Sequence, residues 1–152
     1  MRRFVGFAAF LTLVVVARPG YASSIDSLPP DQQTIDTLLA KADQAQPREQ
    51  CFLYAEVVHQ MTELSIRQYA AGNVSGATGL LKKIQEFSQK IHLSMAENDK
   101  RMKNAEILLS HTAFRLTEML HASNAEDQAL VKQTLTQVTQ AQNEALMQVF
   151  QK

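Results

Sequence analysis

Apolar residues recur every three or four positions through most of the chain, and each run is bounded by residues that start or stop helices. Ile35, Leu38, Leu39 and Ala42 share one side of a short first helix that opens at Pro29-Pro30-Asp31 and reaches about Ala45. Pro47 stands where the first residue of a second helix belongs, because its missing N–H would have no helical partner there, and Glu49 favours the positive helix end. That helix runs to Ala71 and stops at Gly72-Asn73. At about 100° per residue, Tyr54, Val57, Val58, Met61, Leu64 and Ser65 fall on one face, with Phe52, Glu56, His59 and Glu63 on the other.

Gly72, Gly76 and Gly79 mark a turn region, after which Leu80, Leu81, Ile84, Phe87, Ile91 and Met95 form another stripe. The stripe keeps its phase through Met102, Ala105, Leu109, Leu116 and Leu120, with no Gly or Pro between. Glu97 and Asp99 precede Arg101 and Lys103 by four residues, the favourable order for ion pairs within a helix. A helix restarting at Asn98 would instead carry Lys100, Arg101 and Lys103 in its first turn, against its dipole. The pattern therefore predicts one central helix over about 75–121, roughly 70 Å long at 1.5 Å per residue. Ser123-Asn124-Ala125-Glu126 has the form of a capping box and opens a last helix over 123–151, with Val131, Leu135, Val138, Ala145 and Val149 in its stripe.

The expected fold is all-α, an antiparallel helical bundle in which the long central helix is flanked by helices over 47–71 and 123–151. The alternative is an up-and-down four-helix bundle with a turn near residue 98. In the first arrangement the flanking helices lie almost end to end, leaving apolar surface on the spine that a second copy would cover, so a homodimer is expected. In the second, one chain closes its own core.

Residues 1–22 change the picture of where the protein works. Arg2 and Arg3, an apolar run from Phe4 to Ala17 and the small-x-small sequence Gly20-Tyr21-Ala22 form the three parts of an export signal peptide. The expected mature chain starts near Ser23, with an N-terminal segment over 23–46 and a bundle domain over 47–152, in the periplasm or outside the cell. The apolar run is too short to span a bilayer, which takes roughly 20 residues, so no stable membrane anchor is expected after cleavage. The chain has 15 basic and 15 acidic residues, and losing Arg2, Arg3 and Arg18 leaves a small acidic excess that makes nucleic acid an improbable partner. Cys51 is the only cysteine, which excludes an intramolecular disulfide and suits a small buried hydrophobe.

Two Glu-x-x-His motifs, Glu56/His59 and Glu118/His121, resemble those of ferritin-like di-iron bundles, which need both motifs pointing inward. Here the helical wheel turns them away from the apolar stripes. His92 and Met95 share a helix face and have the ligand softness of an exported copper site, but Met95 equally suits the core. A metal-binding bundle, copper or di-iron, is thus the second reading, and no cofactor is expected. Periplasmic helical chaperones are similar in size and composition, but their Leu-Thr-x-x-Gln repeat is approached only at Leu135-Thr136-Gln137-Val138-Thr139-Gln140, one residue too long. No nucleophile elbow, phosphate loop or zinc-protease signature is present. Ile107 and Phe114 project with His111 from the side opposite the main stripe, which puts apolar residues where an amphipathic helix should be polar. The expected function is that of an exported, non-catalytic protein working through protein–protein contacts at those three residues.

Overall fold

The computed structural model describes residues 30–95 and 101–151, and every regular element among them is an α-helix. They are α1 (Gln32–Gln44), α2 (Pro47–Ala70), α3 (Val74–Ser94), α4 (Met102–Ala122) and α5 (Ala125–Phe150). Residues 1–22, which carry the expected signal peptide, lie outside the described residues. No described helix is long and apolar enough to cross a membrane.

Local chemistry sets the helix ends. Asp31 caps α1 by accepting the Thr34 N–H at 2.6 Å, and this bond holds its carboxyl below the usual range. Pro47 is in the first turn of α2, as its missing donor predicts. At the other end of α2, Gly72 takes φ +82°, and the Gly72 and Asn73 N–H groups bond the carbonyls of Tyr69 and Gln68 at 3.0 and 2.8 Å. This is a Schellman closure, and it requires the left-handed conformation that glycine adopts without penalty. Gly76 and Gly79 belong to the first turns of α3 and not to a turn region.

The chain does not hold one helix over 75–121. α3 ends at Ser94, Met95 has extended backbone with ψ 101°, and α4 begins at Met102. Asn98, where the continuous helix would have crossed, lies outside the described residues. The opposing dipole argument fails because Arg101, the residue before α4, places its guanidinium 3.5 Å from the centroid of the Phe52 ring. Burial of the adjacent Met102 beside Cys51 then anchors the start of α4 on α2.

The order of contacts gives the arrangement. Tyr54 stacks on Phe87 and Ser65 bonds the Ala77 carbonyl, so α2 and α3 run antiparallel. Along α2 and α4, Cys51 meets Met102, His59 meets Thr112, Glu63 meets Arg115 and Ser65 meets Met119, so these two helices run parallel. Gln85 meets Thr134 and His92 meets Glu144, which makes α3 and α5 a second parallel pair. α2 therefore packs on α1, α3 and α4, and α5 packs on both α3 and α4. The flanking helices do not lie end to end, which removes the half-covered spine on which the expectation of a homodimer rested.

α2 is the central helix. Leu53, Ala55, Val57, Val58 and Met61 are all buried although they point to different sides, because α1 covers a flank that the wheel left to solvent. Ile35 and Ala42 seal α1 onto it, and Gln50 donates to the Ala42 carbonyl at 3.3 Å. The core threonines Thr62, Thr112 and Thr134 each donate to their own i−4 carbonyl, at 2.8 to 2.9 Å, so their hydroxyls are buried without loss of a hydrogen bond.

The expected capping box at 123–126 does not form. The Ser123 hydroxyl turns back to the Met119 carbonyl at 2.7 Å, closing α4, and Asn124 precedes α5 without a side-chain cap bond. Tyr69 of α2 substitutes, its hydroxyl accepting the Asn124 N–H and donating to Asp127, both at 2.9 Å.

Because α3 and α4 end on either side of Asn98, an Asn98→Pro variant should unfold in urea within about 0.5 kcal/mol of the wild type. Proline inside a helix would cost about 3 kcal/mol or more. A loss of that size would restore the continuous helix.

Candidate functional site

The parallel packing of α2 and α4 brings together residues that the helical wheel had assigned to solvent. A cleft of about 320 Å³ opens between the two helices, lined by Phe52 and Glu56 from α2 and by Asn104, Ile107, Leu108 and His111 from α4. Phe114 stands one turn beyond His111 on the same side of α4 and is 64% exposed. Ile107 is 43% exposed. Of the three residues expected to make protein contacts, Ile107 and His111 thus line a cleft whose opposite wall is α2, and Phe114 continues the same side of α4 beyond it.

Next to the cleft, a polar seam ties the helices. His59 Nδ1 lies 3.0 Å from the Thr112 hydroxyl, whose oxygen also reaches the Leu108 carbonyl. With the Thr112 hydrogen on the Leu108 carbonyl, the imidazole is the donor and carries its proton on Nδ1; with that hydrogen turned to His59, Nδ1 accepts it. Arg115 follows a turn later and grips both carboxylate oxygens of Glu63, at 2.6 and 3.0 Å, while also bonding Glu118. The paired carboxylates raise the pKa of its guanidinium, Glu63 foremost, so the charge is permanent. Burial pushes the Glu56 carboxyl above its ordinary value, and the charges of Arg101 and Lys41 pull partly back.

The two Glu-x-x-His motifs do not converge. With His59 level with Thr112 and Glu63 level with Arg115, Glu118 lies roughly nine residues beyond the level of Glu56, about 13 Å along the axis. Glu118 is engaged by Arg115 and His121 is exposed at the end of α4. His92 bonds Glu144 across α3 and α5, and Met95 is half-buried against the core. Among the described residues no three His, Cys, Asp or Glu side chains are grouped as a metal would need. Cys51 is fully buried, its sulfur 4.0 Å from that of Met102, in the place expected for a small hydrophobe.

Sequence reasoning missed Phe52 and Asn104 as parts of the cleft and Thr112 and Arg115 as parts of the seam. A periodicity argument assigns each helix one buried face, whereas α2 needs two or more, and the second is polar. The available signal was the composition of that face: Glu56, His59 and Glu63 in α2 match Thr112 and Arg115 in α4 by hydrogen-bonding type.

No known protein family, curated protein or solved structure shows significant similarity to the chain.

The raised carboxyl of Glu56 has a signed consequence. Between the unfolded and folded pKa values the folded chain binds more protons than the unfolded one, so this group's contribution to stability falls as pH rises. Glu56→Gln removes that loss. Urea midpoints should show the variant gaining on the wild type between pH 4 and pH 7, and a gap that is constant or shrinks would show that burial does not govern this carboxyl.

Proposed function

We propose that this is an exported, non-catalytic helical protein that acts through protein–protein contacts, as a scaffold, adaptor or chaperone-like factor. Its contact surface is the α2/α4 cleft together with the outer face of α4. The observation that carries this reading is the exposure of Phe114 and Ile107 beside a cleft that also holds a half-buried carboxylate. Burying such a phenyl ring is worth about 2 kcal/mol, a gain left unrealised until a partner covers it. Aromatic anchors next to pockets are the residues that dominate binding energy at protein interfaces.

The polar groups of the seam suit structure better than catalysis. His59 is held by Thr112, and Arg115 is divided between Glu63 and Glu118, so none is poised over a reacting group. The export reading rests on residues 1–22, whose three-part pattern is that of a cleaved leader.

The test is a photo-crosslinking residue placed at Phe114 in the full chain, expressed with its own leader, with a second copy of the experiment at the exposed Lys132 of α5. Discrete protein adducts are expected from position 114 and not from position 132. Phe114→Ser should weaken capture of the same partner about tenfold. An adduct composed of two copies of the mature chain would make the partner a second copy. No adduct, or the same adducts from both positions, would overturn the assignment of this surface.

A further inference from the structure

Leu93, Met147 and Phe150 are 82%, 60% and 79% exposed, three large apolar side chains at the end of the bundle where α3 and α5 both finish. A cleft of about 380 Å³ between α3 and α5 is lined in part by Leu93, and a shallower hollow of about 430 Å³ over the outer face of α5 is lined in part by Met147. The two adjoin, since Gln140 and Glu144 line both. Phe150 follows Met147 by three residues, on the same side of the helix.

The outermost face of an amphipathic helix is ordinarily its most charged. On α5 it is not. Between Gln133 and Gln151 every exposed residue is uncharged, and Thr136, Gln140, Asn143, Met147 and Phe150 follow one another at alternating spacings of four and three. Glu144 is half-buried and turned to His92. The exposed faces of α3 and α4 carry Lys82, Lys83 and Glu86, and Lys103 and Glu118. This stripe suits a second copy of the same chain. In a two-fold contact the residues on the axis meet themselves, so a charge there would repel its own image, and an uncharged stripe meets that condition. The side-chain amides of Gln140 and Asn143 both donate and accept, which lets them pair with their own counterparts. Leu93, Met147 and Phe150 together expose roughly 400 Å² of mostly apolar surface, close to the apolar share of the ~800 Å² that each partner buries in a stable interface. A lipid surface fits less well, because the stripe has no Lys or Arg to meet headgroups, and a charged partner would find no opposite charge on it.

We infer that the outer face of α5 is the interface of a two-fold homodimer, with the two Met147 side chains meeting at the axis and Phe150 and Leu93 of each copy packed around them. Thr139, Asn143, Met147 and Gln151 form a ridge of residues four apart, and two such ridges interdigitate when their helices cross at about 50°. At that inclination the axes separate away from the crossing point. Lys132, fifteen residues and about 22 Å along the axis from Met147, therefore stays clear of the partner. The interface shares no residue with the α2/α4 contact surface and is independent of any role assigned to that surface.

Light scattering on the chain expressed with its own leader tests this through the mass per particle. Two copies are expected at about 100 μM protein. Met147→Glu and Phe150→Glu each bring like charges together at the axis and should raise the dissociation constant at least about tenfold with the far-ultraviolet circular dichroism unchanged, whereas Lys132→Glu should leave it as it is. In a Cys51→Ala background under mild oxidation, Met147→Cys should form a disulfide between copies and Lys132→Cys should not. If a glutamate variant fails to fold, the Met147→Cys cross-link decides by itself. One copy per particle, a two-copy particle that both glutamates leave intact, or no cross-link from position 147 would overturn the inference. Flotation of single copies with vesicles of phosphatidylethanolamine and phosphatidylglycerol, lost in Met147→Glu, would also overturn it and make the patch a membrane contact.

Discussion

The structure depends on a demand made by α2. Its buried residues point in too many directions for one neighbour to cover, so the helix is stable only when α1, α3 and α4 surround it. Fully burying an aliphatic side chain contributes about 1.5–3 kcal/mol, and α2 supplies more such residues than any other element. Meeting that demand requires α4 to lie beside α2. The chain must therefore turn back after α3, since a helix continuing past Ser94 would carry α4 far from Cys51, His59 and Ser65. The end of α3 at Ser94 is a tertiary outcome, imposed by packing on a sequence whose local preference is helical throughout.

That origin explains what could be read from the sequence. The all-α class, the positions of α1 and α2, the stop at Gly72 and the start of α2 at Pro47 follow from capping and backbone chemistry, which act within a few residues. The break between α3 and α4 has no such marker. The stripe from Leu80 to Met95 and the stripe from Met102 to Leu116 share a phase because each faces the same core, and phase alone does not distinguish two helices facing one core from one helix facing it twice. The capping box at Ser123 failed for a related reason. Its serine had a closer use on the Met119 carbonyl, and a tyrosine 55 residues away supplied the bond instead.

The same logic bears on function. The two parallel pairs are built alike, each joined by a polar side chain on a buried threonine, His59 on Thr112 and Gln85 on Thr134, and then by a carboxylate with a basic partner further along. The antiparallel contact of α2 with α3 is instead dominated by the apolar stripes, including the stacked rings of Tyr54 and Phe87. Polar seams pack less completely than apolar ones, and both clefts described above open along them. Residues that looked like candidate ligands, Glu56, His59 and His92, lie in these seams because they fasten helices. Ile107 and Phe114 have no such structural use among the described contacts, which is why the proposed contact surface includes them.

The central claim, that α3 and α4 are separate helices returning to the same end of a four-helix core, is tested most directly by one distance. Nitroxide labels at Ser75 and His121, both exposed, can be placed in a Cys51→Ala background and measured by pulsed electron resonance. Ser65 touches both the Ala77 carbonyl and the Met119 sulfur, so both labels belong at one end of the bundle, less than about 35 Å apart for helix axes spaced 8–10 Å. A distance near 70 Å, the length of an unbroken helix between those positions, would contradict the account.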